Sequence, residues 1–338
     1  MYTQLNLLTT AYIYMGQTTS TKKDEKALNV PWGPQLPGGS GKRTCLITGG
    51  NSGLGFETAR SLLVKGYKVI IACRNPDKAA EAVAKLRSLA SLDDTDESIS
   101  YEVLDVSSLN SVDKFADKFL SNPNNQCHVL ICNAGIMMGA QRQSADGFDL
   151  QLATNYLGHV YLIKRMQERL VECAPGRIIH VSSIAARFGH IYWNDINFFG
   201  GDKYDSLKMY QQSKLLQVVF SRELAKRLKG TGITSNSLEP GIVKTGLSAT
   251  ITDDPAMRRR LENGISVEEG SKTHIHLASC TDASVVGITG EHWEKCGIIS
   301  QGFSKLKYIL AAHDLRESVG PKLWDFTEKL IEDARKKS

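Results

Sequence analysis

The sequence lacks the cysteine pattern of a disulfide-bonded or zinc-binding protein. Its seven cysteines are odd in number and include no C-x-x-C pair. Cys45, Cys73 and Cys132 fall in apolar runs that are typical of buried strands. This distribution is typical of reduced thiols in a cytosolic setting, so we predict a cytoplasmic location and no metal site.

The chain also lacks a strong excess of either charge. Its formal net charge is only +5, and its lysines and arginines are spread along the chain rather than grouped in blocks. Nucleic-acid-binding proteins usually carry a concentrated basic surface. We therefore expect no nucleic acid among its partners.

A membrane-spanning segment and a secretory signal are missing as well. Residues 1–15 are mildly apolar, but they hold no basic n-region and too few apolar residues to span a bilayer. Residues 15–20 fit a myristoylation pattern if translation starts at Met15; the alternative is a chance match in a disordered tail. We therefore expect no transmembrane segment. Weak peripheral association with a membrane stays open, as does the choice between Met1 and Met15 as the true start.

What the sequence does contain is a regular alternation of short apolar runs and amphipathic stretches. It predicts strands at about 44–48, 68–73, 100–104, 128–132, 177–182 and 233–238, and helices at about 54–65, 76–90, 109–121, 147–171 and 207–229. Such alternation predicts an α/β fold, a single doubly wound Rossmann domain with a parallel sheet of about seven strands and helices on both faces. The domain should span residues 42–338, preceded by a flexible N-terminal arm, residues 1–41, rich in Pro and Gly from residue 29 onward.

A glycine-rich run, Thr-Gly-Gly-Asn-Ser-Gly-Leu-Gly, occupies residues 48–55 between the first predicted strand and the first predicted helix. At that position free backbone N–H groups and the helix dipole favour a phosphate group. Gly49, Gly53 and Gly55 supply tight turning and close backbone approach. The spacing differs from G-x-G-x-x-G, and a glycine-rich turn that binds nothing is the alternative.

The second predicted strand ends at Cys73 and Arg74, where a site selective for NAD usually has an acidic residue. A guanidinium there suits a 2′-phosphate, because its planar fork of donors matches the phosphate oxygens. The sequence therefore favours NADP(H) as the cofactor. The alternative is that Arg74 is simply one exposed arginine after a strand.

Tyr210 and Lys214 are spaced to lie on the same face of a predicted helix. A free tyrosine has a pKa near 10 and is a poor base at neutral pH, but a neighbouring ammonium stabilises the phenolate. The pair is thus suited to proton exchange with an alcohol or a carbonyl during hydride transfer. A Y-x-x-x-K pattern also arises by chance on solvated helices, and only its position far downstream of the glycine run favours a functional role.

Taken in order, these motifs resemble the short-chain dehydrogenase/reductase family from about Lys42 to Lys329. The resemblance implies that cofactor contacts come from the glycine run, the residues after the second, third and fourth strands, the Tyr-Lys pair and a Pro-Gly segment. The residues that it assigns are Thr48, Gly49, Asn51, Ser52, Gly53, Leu54, Gly55, Arg74, Asp105, Val106, Asn133, Ala134, Gly135, Tyr210, Lys214, Pro240, Gly241, Val243 and Thr245. Cys132 replaces the usual first asparagine of the N-N-A-G motif, a departure that we expect to be mild.

The resemblance also implies a catalytic tetrad of Asn155, Ser183, Tyr210 and Lys214. In the family, tyrosine exchanges the proton, lysine lowers its pKa and binds the nicotinamide ribose, and serine hydrogen-bonds the substrate oxygen. The asparagine holds a relay, through water, to the lysine. A catalytically silent nucleotide-binding or scaffold protein on the same fold remains the alternative, because fold alone does not give function.

Within the family the likeness is to the retinol dehydrogenase-like branch. It rests on Ala-Cys-Arg-Asn at 72–75, on the long stretch between Ser183 and Tyr210, and on residues 223–233. Light-dependent protochlorophyllide reductases share parts of this pattern and are a second alternative. The branch implies an apolar carbonyl or alcohol substrate, such as a retinal-like compound, a steroid or a lipid aldehyde. It fixes neither the substrate nor the direction of reaction, and homo-oligomerisation stays open.

Two further sets of residues have open roles. The family caps the substrate with a segment that corresponds to residues 247–270, in which Arg258, Arg259 and Arg260 form a solvated face or recognise an acidic substrate or a membrane. The aromatic residues that precede Tyr210 belong either to the core or to an apolar pocket; they are Phe188, Tyr192, Trp193, Phe198 and Phe199. His159 and His180 are expected to be hydrogen-bonded core histidines, and His274 and His276 to have no ligand role.

Overall fold

The strands form one sheet in which all neighbours but the last pair are parallel. The computed structural model describes residues 32–36, 41–137, 139–200, 204–244, 259, 262–299 and 318–337. The strands are β1 Thr44–Thr48, β2 Lys68–Cys73, β3 Ile99–Val103, β4 Val129–Cys132, β5 Gly176–Val181, β6 Ile233–Glu239, β7 His292–Glu294 and β8 Gly297–Ile298. Their order is β3-β2-β1-β4-β5-β6-β7-β8. The predicted fold class is confirmed: seven strands are parallel, and β8 adds a two-residue antiparallel edge.

Helices cover both faces of this sheet. They are α1 Gly53–Val64, α2 Pro76–Leu89, α3 Leu109–Ser121, α4 Gly158–Glu172, α5 Ser206–Arg227, α6 Val267–Ser279 and α7 Val319–Arg335. Every residue of β1 is buried, because side chains alternate between two apolar layers. Leu46 lies in the layer with α3, α4, α5 and α7, whereas Cys45 and Ile47 lie in the layer with α1, α2 and α6.

The stretch predicted as one helix over 147–171 is interrupted. A short helical turn, Leu150–Leu152, leads into a π-helical turn, Ala153–Leu157, before α4 begins. The N–H of Gly158 donates to the carbonyl of Ala153, five residues earlier, so the turn is one residue wider than in an α-helix. This wide turn contains Asn155.

Part of the predicted N-terminal arm is packed against the domain. The indole of Trp32 is 7% exposed, and its Nε1 donates to the carbonyl of Ala278 at 3.1 Å. The guanidinium carbons of Arg43 and Arg177 lie 4.4 and 3.8 Å from the centroid of its ring. Residues 32–36 therefore pack with the domain rather than forming a free arm, whereas residues 1–31 and 37–40 lie outside the described residues.

β1 lies between β2 and β4, so the chain adds its strands first on one side of β1 and then on the other. In a doubly wound sheet this reversal opens a crevice at the carboxyl ends of the strands. The glycine run follows β1 and the Asn-Ala-Gly motif follows β4, so both motifs meet at that crevice.

Candidate active site

The turn after β1 has a backbone that requires glycine. Gly49 and Gly53 have φ values of 67° and 55°, in the left-handed region that side chains disfavour. A Cβ on Gly55 would lie 2.5 Å from both the Gly49 carbonyl oxygen and Asn133 Nδ2. The turn can therefore have this shape only with glycine at these positions.

The N-terminus of α1 has no side-chain cap, unlike four other helices. Ser52 stands at its N-cap position without accepting a hydrogen bond from the first turn. The side chains of Asn75, Ser108, Asp205 and Ser266 each cap their helix, α2, α3, α5 and α6 respectively. The first N–H groups of α1 thus remain available to an anionic ligand, which is the arrangement that binds a dinucleotide pyrophosphate.

Hydrogen bonds fasten this turn to the loop after β4. Thr48 Oγ1 accepts from the backbone N–H groups of Asn133 and Ala134, each at 2.9 Å. Asn133 Nδ2 donates to the carbonyls of Thr48 at 2.8 Å and Gly49 at 3.3 Å. The Asn133 side chain thus holds the glycine turn closed. The mild effect expected for Cys132 stays a prediction.

The remaining positions assigned to the cofactor lie along the same edge of the sheet. Arg74 is exposed directly after β2. Asp105 Oδ1 accepts from Ser107 N and Oγ at 2.9 and 2.6 Å, and Val106 is buried. Asn51, Gly53 and Leu54 are half-buried and Ser52 is exposed.

The Pro-Gly segment continues this edge beyond β6. Gly241 has a φ of 87°, and Val243 bridges Ile265 in parallel. A Cβ on Gly270 would lie 2.6 Å from Val243 Cγ2, so α6 packs tightly against the segment. Pro240 is half-buried, and Thr245 lies outside the described residues.

The predicted catalytic residues come together at the ends of β5 and β4. Lys214 Nζ donates to the carbonyl of Val181 at 2.9 Å, and Ser182 Oγ donates to the carbonyl of Lys214 at 2.7 Å. These two bonds tie α5 to the end of β5, where Ser183 hydrogen-bonds the phenol of Tyr210. Lys214 Nζ is 5.7 Å from the centroid of the Tyr210 ring.

Asn155 holds the loop after β4 against α5. Its Oδ1 accepts from the N–H of Ile136 at 2.8 Å, and its Nδ2 donates to the Ile136 carbonyl at 3.0 Å and to Ser213 Oγ at 2.9 Å. Asn155 is fully buried. A Cβ on Gly135 would lie 3.4 Å from both Asn155 Oδ1 and Lys214 Nζ, so the four predicted catalytic residues and the Asn-Ala-Gly loop form one cluster.

Burial dominates the electrostatics of the Tyr-Lys pair. It raises the pKa of Tyr210 to about 12, although the hydrogen bond from Ser183 acts in the lowering direction. It lowers the pKa of Lys214 to about 7. Burial thus outweighs the lowering of the tyrosine pKa that the sequence predicted, because removing a group from water disfavours its charged form. A positive charge close to the phenol is needed to reverse the shift.

His159 and Gly158 are parts of the site that the sequence motifs did not single out. Thr48 Oγ1 lies 2.8 Å from His159 Nε2, and His159 Nδ1 lies 3.4 Å from the carbonyl of Asn155. Burial lowers the pKa of His159 to about 4, so the ring is neutral at physiological pH. A Cβ on Gly158 would lie 1.6 Å from the Val106 carbonyl oxygen. Only glycine therefore allows α4 to start this close to Val106, in the loop after β3. The sequence of a predicted helix does not reveal such a constraint.

The structure divides the aromatic residues before Tyr210 between core and surface. Trp193 and Phe198 pack against the apolar layer, and Trp193 meets Phe326 of α7 edge to face at 5.6 Å. Phe188 and Phe199 are 65% and 41% exposed. The capping segment lies outside the described residues from 247 to 258 and at 260–261. Of its three arginines only Arg259 is described.

His180 and His274 have packing roles. His180 Nε2 lies 3.2 Å from Ser235 Oγ in the core, and burial lowers its pKa to about 3. Burial likewise lowers the pKa of His274 to about 3. Within the described parts of the chain no group of three or more His, Cys, Asp or Glu residues could hold a metal ion. None of the helices in those parts is both long and apolar enough to cross a membrane.

Comparisons with known proteins agree with this geometry. The profile of the short chain dehydrogenase family matches residues 43–195. The chain is 38% identical over 307 residues to retinol dehydrogenase 14 of Mus musculus, covering 87% of each chain. It is 36% identical over 263 residues to retinol dehydrogenase 12 of Homo sapiens, covering 78% of this chain and 79% of the relative.

Solved structures share the fold. An uncharacterised protein of Mycobacterium paratuberculosis superposes with a TM-score of 0.65 at 26% identity, covering 90% of this chain and 97% of that chain. RhlG of Pseudomonas aeruginosa, solved as a complex with NADP, gives a TM-score of 0.59 at 24% identity, with 76% and 94% covered. At that identity the second likeness shows the fold alone.

Proposed function

Because the chain belongs to the short-chain dehydrogenase/reductase family, in its retinol dehydrogenase-like branch, we propose that it is an NADP(H)-dependent oxidoreductase of apolar alcohols or carbonyl compounds. Family membership by itself implies an oxidoreductase that acts on alcohol or carbonyl groups with a nicotinamide dinucleotide. The observation that carries the proposal is the cluster at the end of β5, in which Ser183 hydrogen-bonds Tyr210 and Lys214 Nζ donates to the Val181 carbonyl.

Each catalytic side chain has a distinct role in the proposed reaction. Tyr210 gives its phenolic proton to the substrate oxygen during reduction and takes it back during oxidation. Ser183 donates a hydrogen bond to the same oxygen, so that the two hydroxyls together stabilise the developing alkoxide. Lys214 provides the positive charge near the phenol that favours the phenolate. Asn155 holds the Ile136 backbone and thereby fixes the loop beside Lys214.

The cofactor site is proposed from residues on four loops. The uncapped N-terminus of α1 binds the pyrophosphate, Asp105 and Val106 the adenine, and Asn133 to Gly135 the middle of the dinucleotide. When bound, NADP(H) supplies or accepts the hydride. Arg74 is exposed directly after β2, and no ion pair joins it to a carboxylate among the described residues, so it is available to a 2′-phosphate.

The proposed substrate is apolar and long-chained or ring-bearing. Relatives at 32–42% identity are named retinol dehydrogenases, and Phe188 and Phe199 expose aromatic rings in the stretch between Ser183 and Tyr210. Burial of apolar surface contributes roughly 25 cal/mol per Å², which favours retinal-like, steroid and lipid aldehydes or ketones over short polar ones. A higher kcat/KM for small charged carbonyls than for every apolar one would overturn this substrate class.

Tyr210→Phe tests the proposed chemistry. The substitution keeps the ring and removes the proton, so turnover of NADPH with a panel of carbonyl compounds should fall at least about a hundredfold. NADPH should still bind, which fluorescence titration would measure. The matched control is Tyr101→Phe, a half-exposed tyrosine on β3 at the far edge of the sheet.

The same assay separates the proposal from its alternatives. A wild-type protein that binds NADPH without turning over any carbonyl would support a silent nucleotide-binding protein. Turnover of a protochlorophyllide-like substrate alone would support the second alternative. Near-normal turnover by Tyr210→Phe would refute the role assigned to the phenol.

A further inference from the structure

A charged cluster joins the turn after Ser183 to the start of the Pro-Gly segment. Arg187 lies in a 3₁₀ helix, Ile184–Phe188, for which Ser183 is the N-cap. The Arg187 guanidinium binds the Glu239 carboxylate with two nitrogens, Nη2 to Oε1 and Nε to Oε2, the latter at 3.2 Å. Nη2 also donates to Glu294 Oε2 at 3.2 Å. One cation thus bridges two carboxylates.

The cluster is largely removed from water. The Glu239 side chain is 1% exposed, that of Arg187 15% and that of Glu294 20%. Glu239 and Glu294 are register partners at the ends of β6 and β7. Two carboxylates so close together repel each other, and a buried carboxylate without a cation is strongly destabilised. Arg187 therefore offsets this repulsion and stabilises the cluster.

His292 is the other titratable group that faces Glu239 in the described structure. Its Nε2 lies 3.7 Å from Glu239 Oε2, and its Nδ1 lies 2.9 Å from Ser237 Oγ. The ring is fully buried, with no exposed side-chain surface. It supports the carboxylate from the β7 side, whereas Arg187 approaches from the turn after β5.

We propose that Arg187 and Glu239 are a pair of positioning residues that set the separation between Ser183 and the Pro240–Gly241 segment. Arg187 follows Ser183 by four residues, and Glu239 directly precedes Pro240. The proposal rests on the proposed function, in which Ser183 contacts the substrate oxygen, and on the expectation that the Pro-Gly segment contacts the cofactor. The bidentate pair fixes both in distance and in angle, because a guanidinium and a carboxylate fit in one planar geometry.

Removing the cation has a specific consequence for pH dependence. With Arg187→Met, the cation that bridges Glu239 and Glu294 is gone while the two carboxylates stay register partners. Their repulsion is greatest when both are charged, so the site should change its shape on going from acid to alkaline pH. Activity should consequently decline more steeply over that range in Arg187→Met than in the wild type, whose own profile reflects the titration of Lys214.

The experiment compares Arg187→Met, Arg187→Lys, Glu239→Gln and the double variant Arg187→Met/Glu239→Gln, with Arg142→Met as a control at an exposed arginine. For each protein we would measure the Kd for NADPH, KM and kcat between about pH 5.5 and 9, and Tm. Arg187→Met should lose roughly tenfold to a hundredfold in kcat/KM, as expected for a lost charge-assisted contact. The double variant should recover part of that loss and regain the pH profile of the wild type, because it lacks the uncompensated charge. Arg187→Lys should fall between wild type and Arg187→Met.

Three results would overturn the proposal. Arg187→Met could retain the wild-type constants and pH profile, or it could lower only Tm. The losses of the two single changes could also simply add in the double variant, which would show that the pair does not act as a unit. The NADPH titration and the Tm cycle need no turnover, so they report on the pair even if the wild-type protein fails to reduce any carbonyl tested.

Discussion

The two sides of the proposed site, one for the cofactor and one for the substrate, are held together by different means. On the cofactor side the glycine turn depends on its backbone, because a Cβ on Gly55 would lie 2.5 Å from the Gly49 carbonyl oxygen, and the side chains of Thr48 and Asn133 only fasten that turn. On the substrate side, the loop over residues 189–200 is held by side-chain amides and a carboxylate. Gln212 Oε1 accepts from the N–H of Tyr192 at 2.8 Å, and its Nε2 donates to the carbonyl of Ile196 at 3.0 Å.

Similar bonds complete the substrate-side loop. Gln141 Nε2 donates to the carbonyls of Asn197 and Phe198 at 3.2 and 3.1 Å. Asp195 accepts from the N–H groups of Phe199 and Gly200, each at 2.9 Å. Amides and carboxylates occur at many positions in any chain, whereas a glycine at a positive φ has few substitutes. The cofactor side should therefore tolerate very little change, and the substrate side should adjust its specificity at small cost.

Gly55→Ala should have the largest effect of the three changes below. Its Cβ would meet two atoms at 2.5 Å, one of them a backbone oxygen, so the turn must open. We expect NADPH affinity to fall at least about a hundredfold and the free energy of unfolding to fall by about 1–3 kcal/mol.

Calorimetric titration with NADPH and chemical denaturation measure these two effects. Gly139→Ala is the control, because its Cβ would meet no atom within 4 Å. If Gly55→Ala bound NADPH as tightly as Gly139→Ala does, the backbone geometry would not be what restricts the cofactor side.

Arg74→Ala should have a smaller effect, limited to one cofactor. Losing a charge-assisted contact costs roughly 1.5–3 kcal/mol, so NADPH binding should weaken about tenfold to a hundredfold while NADH binding changes little. Lys78→Ala, an exposed cation in the first turn of α2, is the matched control. Equal losses for NADPH and NADH would show that Arg74 does not read the 2′-phosphate.

Gln212→Leu should have the smallest effect on the cofactor and a measurable one on the substrate. It leaves the Tyr192 N–H and the Ile196 carbonyl without their amide partner, at a cost of about 1–3 kcal/mol for each group that stays buried. The loop should shift, so KM for bulky apolar substrates should rise severalfold while the Kd for NADPH is unchanged.

Steady-state kinetics with paired NADPH titrations test this expectation, with Gln211→Leu as the neighbouring control. A variant that lost NADPH affinity in proportion to its KM would contradict the separation of the two sides.

The difference between the cofactor side and the substrate side also explains what could be predicted from the sequence. The glycine run and the Tyr210–Lys214 spacing predicted the cofactor side because they occupy short stretches with fixed local geometry. β7 and β8 are three and two residues long, too short to show an alternating pattern. The π-helical turn was missed because one extra residue scarcely changes a helical apolar pattern.

Contacts between residues that are distant in sequence could not be predicted, for a different reason. Arg187 and Glu239 are 52 residues apart, and only the parallel pairing of β5 with β6 brings them together. The pKa of Tyr210 depends on burial by the whole fold, which the spacing of two residues does not reveal. Trp32 lies in a Pro- and Gly-rich stretch whose composition predicted an arm, and only its contact with α6 makes it part of the domain.

The C-terminal helix carries a consequence for the order in which the domain is made. Trp324 of α7 stacks on Phe220 at 5.2 Å and lies under the Arg227 guanidinium at 4.2 Å, so it covers α5. During synthesis α5 emerges from the ribosome well before α7, and domains generally fold as units. A nascent chain that ends before Trp324 therefore exposes the aromatic face of α5 to other newly made chains. Chaperone binding to stalled chains should drop once α7 has emerged, whereas the opposite layer, closed by Trp32 and α6, should be complete before that point.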